Sequence, residues 1–530
     1  MSEQLGQGNT YRTLDEQREV LTPAEQRFER GRQTIGLFLG PAAFLLMFLL
    51  PLPLPNNQQA LAAIFVFVII FWLTEAIPIP VTAILALALC VILQVPETKE
   101  GQTASSVVFG AFTSSTIFLF LGAFIIARSM TRHGLDRRFA LFVLSLPGIG
   151  KSTYGVIIGF GLIALSHGFV GISNTATTAM LLPIGLGMMG TLGRFVSEQS
   201  GTNKEPSRLK FGTALMLMIA YGASVGGLTT PIGSPPNLIG LGFIERQTGI
   251  TISFFEWVLI ALPIVLIMFV ALCFILIALN KPEIRRISGV EEYVAQERSK
   301  LGTFSPGERN TLIVFCVAVF LWFLPGFVSM VAGKDAPTAE WLTTRLDEGA
   351  VAIVAASLLF FLPTSWRDRR FTLNWNEAAQ IDWGTILLFG SGITLGTLLS
   401  STGLAKTIGN NVAEGLGVTS LLAITILATV VAILISETTS NTASVGIVVP
   451  IIIPIAVAAG VNPVVPALAA TFGASYGFML PVSTPPNAIV YGSGMVPITK
   501  MVRSGVVFDV IGAILIVTGV TLMVQVVGLA

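Results

Sequence analysis

Charged side chains are scarce in this chain of 530 residues, where Lys, Arg, Asp and Glu together make up 11%. A soluble domain carries roughly 25% charged residues, so this chain lacks the charge needed to cover a surface that faces water. The charges that are present nearly balance, with a net charge of +1. The net charge therefore gives no sign of a nucleic-acid partner, and we expect none.

Cysteine and histidine are also rare, with three and two copies. Cys90, Cys273 and Cys316 lie far apart in apolar runs and lack the spacing of metal ligands, so we expect small core side chains. His133 and His167 are too few for a histidine-rich metal site. We find no nucleophile paired with a base, and the sequence therefore does not indicate an enzyme.

Two glycine-containing segments match nucleotide-binding patterns only in part. Residues 185–190 fit GxGxxG, but they lie inside a long apolar run and follow no strand. Residues 147–152 resemble the end of a P-loop, but Ser145 occupies the place of its first glycine. We expect neither a dinucleotide site nor ATP-driven transport.

Long apolar runs are abundant. Hydrophobic residues make up 53% of the chain, and many segments reach the roughly 20 apolar residues needed to cross a bilayer. Residues 257–278 and 506–527 are examples. The sequence therefore predicts an all-α polytopic membrane protein in contact with lipid.

Two short motifs each occur twice in the same order. Ser-Asn-Thr stands at residues 173–175 and 440–442, and Pro-Pro-Asn at residues 235–237 and 485–487. The copies are separated by 267 and 250 residues, which is nearly one offset. Duplicated breaks in hydrophobic segments indicate an internal repeat and a transport site between its halves.

The positive charges predict how the chain crosses the membrane. We place the N-terminus in the cytoplasm and let each Ser-Asn-Thr segment form a re-entrant hairpin. Most of the 30 Lys and Arg residues then lie inside, as the positive-inside rule requires, and the outside keeps only Lys99, Arg246, Lys334, Arg345 and Lys406. If the first motif lay in a full membrane span, every later loop would move to the opposite side of the membrane. The excess of Lys and Arg on the cytoplasmic side would then largely disappear.

The resulting fold has about 11 transmembrane helices plus two hairpins that enter from opposite faces, in two inverted repeats. Its predicted parts are a cytoplasmic N-terminal arm (1–34), a first repeat (35–280) with hairpin 152–193 and broken helix 211–240, a cytoplasmic linker (281–309), and a second repeat (310–530) with hairpin 418–459 and broken helix 464–491.

The Ser-Asn-Thr tips suit the binding of carboxylates. Their hydroxyls and amide donate hydrogen bonds, and the helix that each one opens attracts anions through its free N–H groups and positive dipole end. Two tips meeting near the membrane midplane form two sockets for a substrate with two carboxylates. The alternative is that both are ordinary helix caps in buried turns.

The Pro-Pro-Asn elements suit a small cation. Proline has no N–H to donate, so carbonyls near residues 233–234 and 483–484 are expected to be free. With the amides of Asn174 and Asn441 they suit Na⁺; alternatively, the prolines only kink core helices. Neither Ser-Asn-Thr has a neighbouring Lys or Arg in sequence, which favours co-bound cations. Glu437 either relays a proton or orients its hairpin, and we favour orientation.

The chain resembles the divalent anion:sodium symporter family. The resemblance rests on the doubled Ser-Asn-Thr, TEAIP at residues 74–78, GSPPN at residues 233–237 and LPVSTPPNAIVYGSG at residues 480–494, and it covers nearly all of the chain after residue 35. It implies a homodimer in the plasma or inner membrane, with a scaffold domain and a transport domain that moves like an elevator. It also implies import of succinate, malate, fumarate or related di- and tricarboxylates.

The resemblance assigns roles to individual residues. It places the substrate on Ser173, Asn174, Thr175, Ser234, Ser440, Asn441, Thr442 and Thr484. It places Na⁺, the coupling ion, in a first site of Ser173, Asn174 and Gly233 and a second site of Ser436, Thr439, Asn441 and Ser483.

One position departs from the family pattern. Sodium-coupled members commonly carry a serine four residues before the first motif, where this chain has Phe169, and His167 lies two residues earlier. Some relatives are sodium-independent exchangers, so dicarboxylate exchange is the main alternative to symport. An anion channel that uses the same helix ends is the third hypothesis.

Overall fold

The computed structural model describes residues 23–200, 209–283, 289–333, 335–416 and 420–529. Within these ranges α-helices dominate, and the only strands, β1 (Pro363–Ser365) and β2 (Arg370–Phe371), form one small antiparallel pair. The prediction of an all-α membrane protein is therefore confirmed.

The helices before the predicted linker follow the apolar runs. They are α1 (Pro23–Leu49), α2 (Asn56–Thr74), α3 (Ile79–Ile92), α4 (Ala104–Phe109), α5 (Ser115–His133), α6 (Leu135–Leu144), α7 (Thr153–Val170), α8 (Asn174–Ser200), α9 (Lys210–Gly226), α10 (Pro235–Thr248) and α11 (Phe254–Leu279).

The second half repeats the alternation of long and broken helices. Its helices are α12 (Val290–Lys300), α13 (Pro306–Ala332), α14 (Pro337–Arg345), α15 (Glu348–Leu358), α16 (Trp375–Ala378), α17 (Trp383–Ser401), α18 (Leu404–Leu416), α19 (Leu421–Thr438), α20 (Asn441–Ala458), α21 (Val464–Gly473), α22 (Pro485–Gly492) and α23 (Ile498–Val527).

The last part of the predicted N-terminal arm is helical. Helix α1 begins at Pro23, so residues 23–34 are continuous with the first span. This segment is rich in Glu, Gln and Arg, which are good helix formers, and these residues extend the apolar helix towards the N-terminus. Residues 1–22 of the predicted arm lie outside the described residues.

Among the described residues, ten helices are long and apolar enough to cross a membrane, and α7, α19 and α20 of these are arms of the predicted hairpins. Four other predicted spans contain the shorter apolar helices α3, α9, α15 and α21. The count of 11 spans therefore stays a prediction.

The long helices differ in how far they are buried. The most apolar stretch of α1 is 11% buried and that of α13 is 22% buried, against 72% in α17 and 78% in α20. Large apolar side chains such as Phe38 and Phe320 are exposed on the outer helices. A surface of this kind is stable in lipid, so the hairpin helix α20 lies inside the protein while α1 and α13 face the bilayer.

Both halves break at the duplicated motifs. Helices α8 and α20 begin at the asparagines of the two Ser-Asn-Thr motifs, and the breaks between α9 and α10 and between α21 and α22 end at Pro-Pro-Asn. Helix α21 is buried along its whole length, and α9 is buried from Phe211 to Gly226. Helix α10 of the first half packs on α20, and α22 of the second half packs on α8. The broken helices therefore bring the two predicted hairpins into one core.

Candidate functional site

The first Ser-Asn-Thr motif opens helix α8. The Ser173 hydroxyl accepts a hydrogen bond from the Ala176 N–H at 3.2 Å, and its carbonyl accepts one from the Thr177 N–H at 2.9 Å. The preceding turn uses Gly171, whose φ of +72° is costly for other residues. Ser173 is exposed and Asn174 is half-buried. The first N–H groups of a helix have no partner within it, so this tip presents donors to an open face.

The second motif repeats this geometry at the start of α20. The Ser440 hydroxyl accepts from the Ala443 N–H at 3.2 Å, and its carbonyl accepts from the Ser444 N–H at 3.0 Å. Ser440 and Asn441 are half-buried, and Thr442 is buried. Both serines cap a helix, as the alternative of ordinary helix caps predicts. Because the two helix starts are only partly buried, their remaining N–H groups are also available to an anion.

The Pro-Pro-Asn breaks are held by two asparagines that sequence analysis did not assign to the site. The Asn237 amide donates to the carbonyls of Gly227 and Thr230, both at 2.8 Å. The Asn487 amide donates to the carbonyls of Gly477 at 2.9 Å and Leu480 at 3.0 Å. In each half the acceptors precede the asparagine by ten and seven residues. The duplication of this asparagine was the one sequence signal that could have indicated a role for it, although it does not indicate which carbonyls the amide contacts.

Ser234 and Thr484 stand immediately before the proline pairs, in matching extended conformations. Their φ and ψ angles are −149° and 139° for Ser234 and −142° and 147° for Thr484. Both are buried, and the Thr484 hydroxyl accepts from the Asn487 N–H at 3.3 Å. The two residues predicted to bind substrate therefore occupy equivalent places in the two breaks.

Asn174 meets the first break at Gly227. A Cβ added at Gly227 would lie 2.3 Å from Asn174 Oδ1, so only glycine allows this approach. A Cβ added at Gly233 would lie 2.6 Å from the Gly227 carbonyl oxygen and 2.8 Å from that of Gly168. The structure thus gathers Asn174 and Gly233 around Gly227, whereas Ser173 faces outward at the tip.

The second cluster is built from the corresponding segments. Ser436 donates to Asn441 Oδ1 at 2.8 Å and lies within 2.7 Å of the Ala474 carbonyl. A Cβ added at Gly477 would lie 3.0 Å from the Ser436 carbonyl oxygen and 3.1 Å from Ser483 Cβ. The predicted ligands Ser436, Asn441 and Ser483 are therefore close together. The Thr439 hydroxyl donates back to the Ile435 carbonyl at 2.9 Å.

Glu437 ties the second hairpin to its break. Its carboxylate accepts from the Ser483 hydroxyl at 2.7 Å and from the Met479 N–H at 2.9 Å. The Ser483 hydroxyl also lies 2.9 Å from the Glu437 carbonyl oxygen. These bonds connect α19 to the second break, as an orienting role for Glu437 requires.

Both clusters are rich in uncharged oxygens, which suit Na⁺. In the first cluster, Asn174 Oδ1 is buried and has no hydrogen-bond partner among the described residues. An acceptor left without a donor in the protein interior is costly and fits a bound cation. Groups of three or more His, Cys, Asp or Glu side chains that would hold a transition metal are absent from the described residues.

Paired helix breaks inside a lipid-exposed helical bundle, each offering helix N–H groups and oxygen ligands, define an integral membrane transporter. The chain belongs to a known family of this class. The family model described as the sodium:sulfate symporter transmembrane region matches residues 32–529.

Curated relatives match over most of the chain. The sodium-dependent dicarboxylate transporter SdcS of Staphylococcus saprophyticus is 33% identical over 92% of this chain and 90% of its own length. SdcS of Staphylococcus aureus strain USA300 is 32% identical over 77% of this chain and 76% of its own length.

A solved structure shares the fold. It is MtrF of Neisseria gonorrhoeae, from a class of antimetabolite efflux pumps, with a TM-score of 0.53 and 13% sequence identity. The match covers 93% of this chain and 99% of that chain. At this identity the likeness shows the fold alone.

Proposed function

We propose that this protein imports C4-type dicarboxylates such as succinate, malate and fumarate by Na⁺ symport. The curated relatives named above carry the name of sodium-dependent dicarboxylate transporters. The observation that carries the proposal is the pairing, in each half, of a capped helix start with a cluster of oxygens at a Pro-Pro-Asn break.

The substrate is bound by uncharged donors. Ser173, Asn174 and Thr175 serve one carboxylate and Ser440, Asn441 and Thr442 the other, with Ser234 and Thr484 completing the site. Helix N-termini stabilise negative charge without a full positive charge. Because this leaves a dianion only partly compensated, bound Na⁺ lowers the cost of taking the substrate out of water.

Sodium binds beside each carboxylate. The first site uses Ser173, Asn174 and Gly233, and the second uses Ser436, Thr439, Asn441 and Ser483. Support comes from the contact of Asn174 with the Gly227 backbone and from the proximity of Ser436, Asn441 and Ser483. A hard cation selects oxygen ligands of this kind.

Transport follows an elevator-type cycle in a homodimer of the plasma or inner membrane, with the N-terminus in the cytoplasm. The hairpins and broken helices form the transport domain, which moves against a scaffold of outer helices. The low burial of α1 and α13 supports an outer position for these helices. The reciprocal packing of α10 on α20 and α22 on α8 supports inverted repeats that move as one body.

Uptake into proteoliposomes tests the proposal. Vesicles with an inward Na⁺ gradient should accumulate labelled succinate above its equilibrium level. When K⁺ replaces Na⁺, accumulation should stop, and uptake that is unchanged in K⁺ would reject the coupling.

A sodium-independent dicarboxylate exchanger is the second candidate, and one observation favours it. Phe169 provides no hydroxyl where the second half has Ser436, so the first cluster has one candidate oxygen ligand fewer than the second. An exchanger takes up labelled succinate only when the vesicles are preloaded with a dicarboxylate. An anion channel would be recognised because it cannot accumulate succinate against its gradient.

A further inference from the structure

An arginine distant in sequence reaches the second hairpin tip. Arg32 of α1 donates through Nη1 to the Thr438 carbonyl at 2.9 Å, across 406 residues of sequence. Thr438 is the last residue of α19, next to the proposed sodium ligand Thr439 and two residues before Ser440. The sequence alone places no Lys or Arg beside either tip, so this contact is known only from the fold.

Arg32 is paired with two carboxylates, and this pairing limits its role. Its Nη2 pairs with Glu29 at 2.6 Å and with Glu75 at 3.4 Å, and its Nη1 also approaches the Leu73 carbonyl at 3.4 Å. The Arg32 side chain is 15% exposed and that of Glu29 is 6% exposed. Two carboxylates exceed the single positive charge, so the cluster does not attract a dianion. Arg32 therefore acts on the position of the tip and not as a substrate ligand.

Arg32 is fixed to the turn that follows α2. One helical turn further along α1, a Cβ added at Gly36 would lie 2.0 Å from Thr74 Oγ1, so the helix and the turn are in direct contact. A second contact joins this part of the protein to the hairpin, because a Cβ added at Gly446 of α20 would lie 2.6 Å from the Trp72 ring. The N-terminal helices thus meet the second hairpin at its tip and along its return helix.

We propose that Arg32 is a positioning residue for transport, which holds the tip of the second hairpin at Thr438 in one conformation and releases it in each cycle. The proposal rests on the elevator-type transport proposed above, in which the hairpin moves past α1 and α2. A charge-assisted hydrogen bond to a single carbonyl is strong enough to bias two states. Because it involves no bond between two charged groups, it can also break without separating an ion pair.

The conformation that Arg32 stabilises follows from the proposed topology. Arg32 and the turn at residues 74–78 lie at the cytoplasmic end of their helices, whereas the second hairpin enters from outside. A tip that reaches Arg32 has therefore moved to the cytoplasmic side, so the contact stabilises the inward-facing state. Loss of the Arg32–Thr438 hydrogen bond shifts the population towards the outward-facing state. The apparent affinity for external substrate then rises, because a larger fraction of the protein is able to bind it.

Transport kinetics of three variants test this. Arg32→Ala should lower the KM for external succinate by about threefold or more and also lower the maximal rate, since a population shift alters both. Arg32→Lys should stay close to wild type, because an ammonium can donate to the Thr438 carbonyl and pair with Glu29. Arg30→Ala, which removes an exposed arginine of the same helix, is the matched control and should have no effect. An unchanged KM in Arg32→Ala, or an equal change in Arg30→Ala, would overturn the proposal.

Crosslinking gives a second test that does not depend on how well Arg32→Ala folds. Cysteines replace Arg32 and Thr438 in a protein whose Cys90, Cys273 and Cys316 are changed to alanine, and a bis-methanethiosulfonate reagent joins them. Crosslinking should arrest transport, and reduction should restore it; full activity in the crosslinked protein would overturn the proposal.

The same two measurements separate this proposal from the proposed coupling. Both are made on whichever dicarboxylate flux the wild type carries, whether driven by Na⁺ or by exchange. If wild-type uptake does not depend on Na⁺, symport is refuted. The role of Arg32 is still decided by the KM measurements and by crosslinking.

Discussion

Ser436 donates a hydrogen bond to Asn441 Oδ1 at 2.8 Å, and the corresponding pair in the first half lacks it. At the offset of the two Ser-Asn-Thr motifs, Phe169 corresponds to Ser436 and Asn174 to Asn441. Asn174 Oδ1 consequently has no partner among the described residues. The halves share a backbone plan but differ in the chemistry of their oxygen clusters, and the two proposed sodium sites are therefore expected to differ in affinity.

Loss of the Ser436 hydroxyl is expected to weaken sodium binding more than it weakens the fold. Ser436→Ala removes a donor to Asn441 and a ligand of the proposed second site, at a cost of about 1–3 kcal/mol. We expect the Na⁺ concentration for half-maximal uptake to rise by about tenfold or more. Ser444→Ala is the control, because its hydroxyl donates to the Ala432 carbonyl at 2.7 Å on the same hairpin and is not among the proposed sodium ligands. Equal sodium dependence in both variants would remove Ser436 from the site.

The two motif asparagines should be essential for transport. Asn174→Ala and Asn441→Ala each remove an amide that serves a carboxylate and a sodium ion in the proposed site. Both side chains are half-buried at helix starts, so the variants should remain folded, as judged by size-exclusion chromatography, while succinate uptake is abolished. Asn410→Ala, which changes an exposed amide of α18, should transport normally. Wild-type-like uptake by both motif variants would contradict the site.

Some features of this fold follow from local sequence rules. Proline cannot donate a backbone hydrogen bond, so the repeated Pro-Pro-Asn predicts a helix break wherever it occurs. Ser-Asn-Thr before an apolar run predicts a capped helix start. These rules predict the starts of α8, α10, α20 and α22, and with them most of the candidate site residues.

Other features depend on contacts that no spacing reveals. Asn237 and Asn487 bond to carbonyls whose positions depend on the three-dimensional course of each break. Arg32 meets Thr438 across 406 residues, and one sequence read by itself carries no signal for such a pair. The glycine at 227 is one of 53 in the sequence, so its contact with Asn174 emerges only from the packing of α8 on α9.

Asn487 should be needed for the shape of the second break. Asn487→Ala leaves the carbonyls of Gly477, which is buried, and of Leu480, which is half-buried, without their donor. The loss should lower the free energy of unfolding by about 2 kcal/mol or more. Because the break also carries Ser483 and Thr484, succinate uptake should fall with it. Asn462→Ala is the control, since that amide donates at 2.8 Å to the Leu529 carbonyl away from both motifs. A normal melting temperature and normal uptake in Asn487→Ala would show that the break does not need this asparagine.

Asp136 should make the stability of the protein depend on pH. It lies in α6, outside the candidate spans, and burial raises the pKa of its carboxyl from 3.8 to about 6, against the opposing effect of a hydrogen bond from the Arg137 N–H. Because the folded pKa is raised, the folded state holds the proton more tightly than the unfolded chain does. Stability should therefore decline as the pH rises from about 4 to 6 and stay lowered above that, by about 3 kcal/mol.

The substitution Asp136→Asn removes this titration. The variant should melt at a higher temperature than wild type at pH 8, and the difference should shrink as the pH falls towards 4. Asp335→Asn, at an exposed position, should follow the wild-type curve throughout. If the melting temperatures of Asp136→Asn and wild type change in parallel between pH 4 and pH 8, the pH dependence arises from other groups. The titration of Asp136 then does not contribute to it.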